Sequence, residues 1–192
     1  MHRIKIIILL IFCVACNIEN NTPGKINTYY RIDSVLDRQE EQLIKQNPKL
    51  AKVAKVDEKM DTVTISLDKD GWGNELEIFQ DLSINKPALR DSYIKDTVES
   101  DSGRWVQYDI KEGLSDEVEI EMMHLFFDND AILRKVKTVY KENGTLYDAR
   151  RQMELDFEGK PLKLTGYTVN GYQKMILKDT TFYFVNAKIA YD

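Results

Sequence analysis

The sequence predicts an α+β domain that is mainly β: a curved antiparallel up-and-down sheet, or half-open barrel, with N-terminal helices packed on its concave face. Three observations indicate this class. Apolar residues recur at helical spacing over residues 33–58. After Met60 apolar and polar residues alternate, which is typical of strands with one buried face. Turn-forming pairs, above all Asn143-Gly144 and Asn170-Gly171, separate the alternating runs.

Residues 33–58 predict two short helices, or one helix with a sharp kink. Asp33 or Ser34 can cap the first turn, because their side-chain oxygens accept hydrogen bonds from free N–H groups. Pro48 interrupts the pattern, but it suits the first position of a second helix. The expected cap of that second helix is Asn47, and its expected apolar stripe is Leu50, Val53, Ala54 and Val56.

The segment 63–82 predicts a β-hairpin, because two alternating runs flank the turn-rich link DKDGWGN. The apolar positions of these two runs are Val63, Ile65, Leu67, Leu76, Ile78 and Leu82. The pattern is less clear over 83–103. Pro87 fits either a short helix or an irregular arm, and DTVESDSG predicts a loop.

From Arg104 onward the sequence predicts strands joined by short turns. They are expected at 105–110, 118–127, 132–140, 147–157, 162–169, 172–177 and 181–191. On the second of these strands, one face is expected to carry Val118, Ile120, Met122, His124 and Phe126. Consecutive hairpins make a meander, and the N-terminal helices would cover its apolar face, because a single sheet cannot bury itself. In its order of elements this layout resembles the lipoprotein carriers of the Gram-negative envelope.

The first sixteen residues, MHRIKIIILLIFCVAC, have the layout of an export signal. Arg3 and Lys5 precede an apolar run, Ile6–Ala15, which is shorter than the ~20 residues that a helix needs to cross a bilayer. The segment resembles the signal of a bacterial lipoprotein, which is cut before an acylated cysteine, here Cys16. Cys13 departs from the usual Leu of that motif. The alternatives are an ordinary secretory signal or a buried N-terminal strand.

This resemblance divides the chain into residues 1–15 as signal peptide, 16–28 as a lipidated flexible tether and 29–192 as a single domain. Acyl chains such as palmitate on Cys16 would anchor the protein to a membrane of the cell envelope. By the same resemblance Asn17 favours the outer membrane, facing the periplasm or the cell surface. Cys16 would be the only thiol left after cleavage, so its acylation excludes disulfides.

Composition limits the class of partner. Cleavage removes Arg3 and Lys5, which leaves 25 Lys and Arg against 32 Asp and Glu and changes the net charge from −5 to −7. An acidic domain is not expected to bind nucleic acid, because phosphate contacts need clustered Lys and Arg. The hydrophobic content of 43% is sufficient for one core.

Two features are candidate chemical sites. Residues 66–77 resemble an EF-hand calcium loop, with Asp68, Asp70, Gly71 and Glu77 at the matching positions. Ser66 and Gly73 depart from that loop and strands are expected on both sides, so a polar hairpin loop is the favoured interpretation. His124, the single histidine after cleavage, is expected to be a hydrogen-bonded residue of the sheet. We therefore predict no catalytic residue, no metal site and no cofactor.

Two further sequence patterns, the aromatic residues and four Asp-Ser/Thr triplets, each allow two interpretations. The aromatic residues could line a cavity for an acyl chain or glycan, although sheet core is the more frequent role of such residues. Four Asp-Ser/Thr triplets resemble O-glycosylation acceptors of some Gram-negative bacteria, with their hydroxyls on Ser34, Thr62, Thr97 and Thr180.

The expected function is that of a membrane-anchored, non-enzymatic envelope lipoprotein, acting as a binding or assembly module on an envelope protein. The alternative is a carrier or receptor for a lipid or another hydrophobic ligand. An envelope hydrolase ranks third, because no catalytic motif is present.

Overall fold

The computed structural model describes residues 28–115 and 118–191. Its elements, in chain order, are α1 (Ile32–Gln46), β1 (Lys49–Val56), β2 (Lys59–Ser66), α2 (Lys69–Gln80), a 3₁₀ turn (Pro87–Leu89), β3 (Tyr93–Ser100), β4 (Gly103–Ile110), β5 (Ile120–Asp128), β6 (Leu133–Asn143), β7 (Tyr147–Glu158), β8 (Lys163–Met175) and β9 (Thr181–Ala190).

The nine strands of the described residues form one antiparallel sheet in the order β2-β1-β9-β8-β7-β6-β5-β4-β3. The mainly β, antiparallel class is confirmed, and β3 to β9 form a meander. The first hairpin, β1–β2, is added beside the last strand, where Leu50 lies opposite Ile189. β2 and β3 are the two edges of the sheet, which is not closed.

The predicted second helix is wrong, because residues 49–56 form β1. Asn47 does not begin a helix. It ends α1 with φ 45°, and its N–H donates to the Leu43 carbonyl over 2.9 Å. Pro48 therefore follows the end of a helix, where proline is common. β1 lies between β2 and β9, so two neighbouring strands override its helical spacing.

The predicted hairpin over 63–82 is half right. Its first strand is β2, but its second half is α2. Asp68 caps this helix by accepting the Gly71 N–H over 2.8 Å. Trp72, Leu76 and Phe79 are buried at helical spacing. Gly71 and Gly73 within the first turns resemble a loop in sequence, which is why the helix was not predicted.

Two turn assignments are also wrong. Asn170-Gly171 is not a turn but the middle of β8, where Gly171 pairs with Arg151 and Tyr183. A Cβ on Gly171 would lie 2.3 Å from the Arg150 carbonyl oxygen, so the glycine permits close approach of strands. The predicted loop at 96–103 is the edge strand β3 with the turn into β4.

The predicted face of β5 is correct only at its first residues. A register shift between Ile120 and Met122 reverses the alternation, as β-bulges do. Ile120 is buried, and after the shift the buried residues are Met123, Leu125 and Phe127. His124 therefore lies on the opposite face, together with Met122 and Phe126.

One core joins both helices to the sheet. Phe79 of α2 meets Tyr167 of β8 edge to face at 5.2 Å. Gln39 of α1 is 2% exposed, and its side chain donates to the Leu162 carbonyl and accepts the Leu164 N–H. A buried amide with both groups paired fixes the helix on the strand, because an unpaired one would cost about 1–3 kcal/mol.

Neither helix in the described part of the chain is both long enough and apolar enough to cross a membrane.

Candidate functional site: the helix-free face of the sheet

Cross-strand pairing divides the sheet residues between two faces. Val136, Leu125 and Leu155 pair with one another and are buried on the side of α1 and α2. Their chain neighbours point to the other side, because side chains alternate along a strand. We call that side the helix-free face. It is defined by Trp105, Asp109, Met122, His124, Phe126, Lys135, Lys137, Val139, Gln152, Glu154, Asp156, Thr168, Asn170 and Phe184.

A ladder of ion pairs crosses the centre of this face. Lys135 of β6 contacts both Glu154 and Asp156 of β7, with 2.8 Å from its Nζ to an Asp156 oxygen. Lys137 lies 3.4 Å from the second Glu154 oxygen. Side chains held by several partners keep fixed positions, so the ladder presents an ordered pattern of charge.

The ladder changes the titration of its members. Partial burial alone would lower the pKa of the Lys135 ammonium, but hydrogen bonds to Asp156 and Glu154 raise it above its ordinary value of 10.5. Burial alone would raise the pKa of Glu154, but Lys135 and Lys137 hold it below 4.5. Both groups are therefore charged at neutral pH.

His124 lies beside the ladder. Its Nε2 is 2.9 Å from an Asp109 oxygen, and its side chain is 20% exposed. Its cross-strand neighbours are Gln107 and Lys137, neither of which is a hydroxyl or thiol nucleophile. The geometry supports a paired histidine at the sheet surface, as predicted, and Asp109 is the partner that spacing alone did not reveal.

The apolar residues of the face flank these charges. Trp105 and Phe126 are in ring contact at 5.2 Å, and the Lys137 ammonium lies 5.6 Å from the Trp105 ring centre. Toward β9, Phe184 is 39% exposed. The face thus combines exposed aromatic surface with ordered charge.

A groove of about 490 Å³ crosses five strands of this face. Met122 and Phe184 stand at its two ends and Val139 is between them. Thr138 and Met153 also line it, and five polar residues complete the lining: Lys137, Gln152, Glu154, Thr168 and Asn170. A larger depression of about 770 Å³ toward the β7–β8 turn has more charged side chains in its lining, among them Arg134, Glu158 and Lys188, beside small residues such as Ala51 and Ala190. We favour the smaller groove as the candidate site, because binding sites combine apolar surface with a few polar groups.

The calcium-like segment 66–77 serves the fold instead. Asp68 caps α2, and Glu75 pairs with Lys52 over 2.7 Å and accepts the Tyr167 hydroxyl. Within 28–115 and 118–191 no group of three or more His, Cys, Asp or Glu side chains could hold a metal ion.

The other predicted features are dispersed. Trp72 and Phe157 are buried in the core, whereas Trp105 and Phe126 belong to the helix-free face, so the aromatic residues do not line one cavity. Thr62 lies on edge strand β2 and Thr97 on edge strand β3, each with its N–H donated to the preceding aspartate. Ser34 is in α1 and Thr180 precedes β9. Cys16 lies outside the described residues.

Comparison with known proteins gives no match. No protein-family model fits the chain, and no significant match was found among curated proteins or solved structures. The class that the fold defines is therefore an open, mainly antiparallel β-sheet domain with two helices.

Proposed function

We propose that this protein is a lipid-anchored, non-enzymatic binding or assembly module of the cell envelope, and that its helix-free face holds a partner protein. The observation that carries the proposal is the groove of about 490 Å³ on a sheet face that neither α1 nor α2 covers. In this proposal the sheet curves as a half-open barrel with the helices on its concave side, which their shared contacts with β8 support.

The composition of the groove favours a protein partner. The apolar ends of the groove, at Met122 and Phe184, can bind apolar side chains of a partner. Lys137 and Glu154, which lie between them as an ion pair, can bind negatively and positively charged groups. Interfaces between proteins combine an apolar centre with polar residues around it in this way. The lack of a nucleophile beside His124 supports a role without catalysis.

The carrier alternative draws support from the groove volume, which falls within the ~300–1,000 Å³ typical of small-molecule sites. The space between the helices and the sheet does not support the carrier alternative, because Trp72, Phe79 and Phe157 fill that space and are at most 2% exposed. A lipid would have to lie in the open groove.

Site-specific photocrosslinking in the producing cell tests both functions. A benzophenone amino acid at Asn170, on the exposed floor of the groove, should form a discrete protein adduct, which Phe184→Glu should abolish. The control is the same amino acid at Glu41, an exposed position of α1, which should form none. A lipid adduct at Asn170 would support the carrier instead, and equal adducts at both positions would exclude the groove as the site.

A further inference from the structure

Large apolar side chains are exposed at one end of the sheet. We call these residues the apolar tip: Met60, Leu146, Ile176, Leu177 and Phe182. Each is more than half exposed, and Leu177 reaches 99%. Exposed aliphatic residues are ordinary when scattered, but a concentration of them marks a contact surface.

The tip is continuous because three hairpin turns meet there. In an antiparallel meander every second turn lies at the same end, which puts the β6–β7 and β8–β9 turns together, and the pairing of Val56 with Tyr183 places the β1–β2 turn beside the start of β9. The Ile176 N–H donates to the Leu146 carbonyl over 3.0 Å, and the Asp57 N–H donates to the Phe182 carbonyl over 2.8 Å. These bonds tie the three turns into one surface.

Leu177 is the least expected residue of the tip. Its φ of 62° lies in the left-handed region, which glycine and asparagine adopt readily and a bulky side chain adopts at a cost. Its side chain makes almost no contact with the rest of the fold, because it is 99% exposed. Contact with an apolar environment outside the domain would account for both features.

The N-terminal segment joins the fold from this same end. The Tyr29 hydroxyl bonds to the Arg90 carbonyl, and its ring contacts Tyr93, the first residue of β3. β3 begins at the end of the sheet where the β6–β7 turn lies. The next ring, Tyr30, contacts Phe127 near the far end of β5, so the chain runs away from the tip as it enters the domain.

The length of the preceding chain limits the distance to a membrane. Residues 17–28 span at most about 42 Å even when fully extended, at ~3.5 Å per residue. The apolar run Ile6–Ala15 and Cys16 precede them. An anchor at Cys16, which is part of the proposed function, would therefore keep the end of the sheet where Tyr29 enters within about 42 Å of the bilayer.

We propose that the apolar tip inserts into the interfacial layer of that bilayer. Lysines beside the turns can keep their ammonium groups in the headgroup layer while their stems lie along apolar surface. They are Lys55, Lys59, Lys174 and Lys178, and they are nearly balanced by Asp57, Glu58 and Asp179. Burial of apolar surface, and not attraction to anionic lipid, is thus the source of binding.

Flotation with phosphatidylcholine vesicles tests the tip. The protein used is the chain from Asn17 onward, which contains every described residue and lacks Cys16, so binding would come from the folded part alone. It should float with the vesicles, and added phosphatidylglycerol should change the floating fraction little.

The double variant Ile176→Asp, Leu177→Asp should weaken partitioning into the vesicles about ten-fold or more. The matched control is Val98→Asp, at an exposed position near the opposite end of the sheet, which should float like the wild type.

A fluorescent reporter measures insertion directly. Tryptophan in place of Leu146 should shift its emission to the blue when vesicles are added, whereas tryptophan in place of Val98 should not. Wild-type protein that does not float, or a double variant that floats equally well, would overturn the proposal. Self-association abolished by the double variant, without flotation of the wild type, would assign the tip to a second copy of this chain. Acylation of Cys16 is measured separately, so failure of the tip leaves the anchor intact.

Discussion

At the scale of single residues, the ladder of Lys135, Lys137, Glu154 and Asp156 provides three ion pairs on the helix-free face. It cannot be predicted from the sequence, because the register of β6 and β7 brings its residues together. The same limit applies to His124, which was identified from the sequence without its partner Asp109. Residue type can be read from a sequence, but cross-strand pairing depends on register.

Substitution of Glu154 should reveal a pH-dependent contribution to stability. Glu154 has a lowered folded pKa, so its contribution is present above the ordinary value of 4.5 and is lost as pH falls through the folded pKa. Lys135 has a raised pKa, so its contribution is complete below 10.5 and is lost as pH rises through the folded value. Glu154→Gln should cost about 0.5–1 kcal/mol of unfolding free energy at pH 7.

Urea denaturation at pH 7 and in acid measures this difference. The cost of Glu154→Gln should shrink in acid, once Glu154 is protonated in the wild type too. Glu77→Gln, at an exposed carboxylate of α2, is the control and should cost less at pH 7. A cost for Glu154→Gln that is independent of pH would contradict the ionic interpretation.

At the scale of elements, the alternation of apolar and polar residues predicts most of the strands. It fails where neighbouring strands or glycines determine the local structure. β6, β7 and β9 were recognised because their apolar residues alternate. The apolar residues of β1 also fit helical spacing after Pro48, which predicts a helix, and only its neighbours β2 and β9 make it a strand. Gly71 and Gly73 are poor helix formers, so the sequence does not predict α2. Propensity is local, whereas pairing is not.

Two glycine substitutions distinguish a strand interior from a turn. Gly171→Ala should lower the free energy of unfolding by about 1–3 kcal/mol, because its Cβ would lie 2.3 Å from the Arg150 carbonyl oxygen and 2.8 Å from the Tyr183 hydroxyl. Gly73→Ala in α2 should raise it by about 0.5–1 kcal/mol, since the nearest atom is 3.6 Å away. Thermal and urea denaturation measure both, and equal effects would contradict the assignment of Gly171 to β8.

At the scale of the whole molecule, the candidate site and the apolar tip both depend on the order of strands. The groove takes residues from β5 to β9, and the tip takes residues from three turns that are distant in sequence. The sequence predicts a meander and therefore exposed turns. It could not predict that the β1–β2 turn lies beside the β8–β9 turn, because nothing local indicates that β1 pairs with β9.

The proposed anchor is tested by acyl labelling in a bacterial host that processes lipoproteins. The wild-type chain should incorporate a labelled fatty acid, and Cys16→Ala should abolish the label, because no other residue takes the position of the acylated cysteine in the signal. Cys13→Ala is the matched control and should retain it. Equal labelling of wild type and Cys16→Ala would refute the anchor.

The pairing of Leu50 with Ile189 also sets the order of events during synthesis. β1 and β2 leave the ribosome early, yet β1 cannot acquire its second neighbour until β9 has been made. The β1–β2 hairpin therefore keeps one edge unpaired until the meander from β3 to β9 has formed. Contacts between residues so distant in sequence slow folding. Completion of the sheet therefore requires β9, and loss of β9 would leave β1 and β2 without a neighbouring strand in the rest of the sheet.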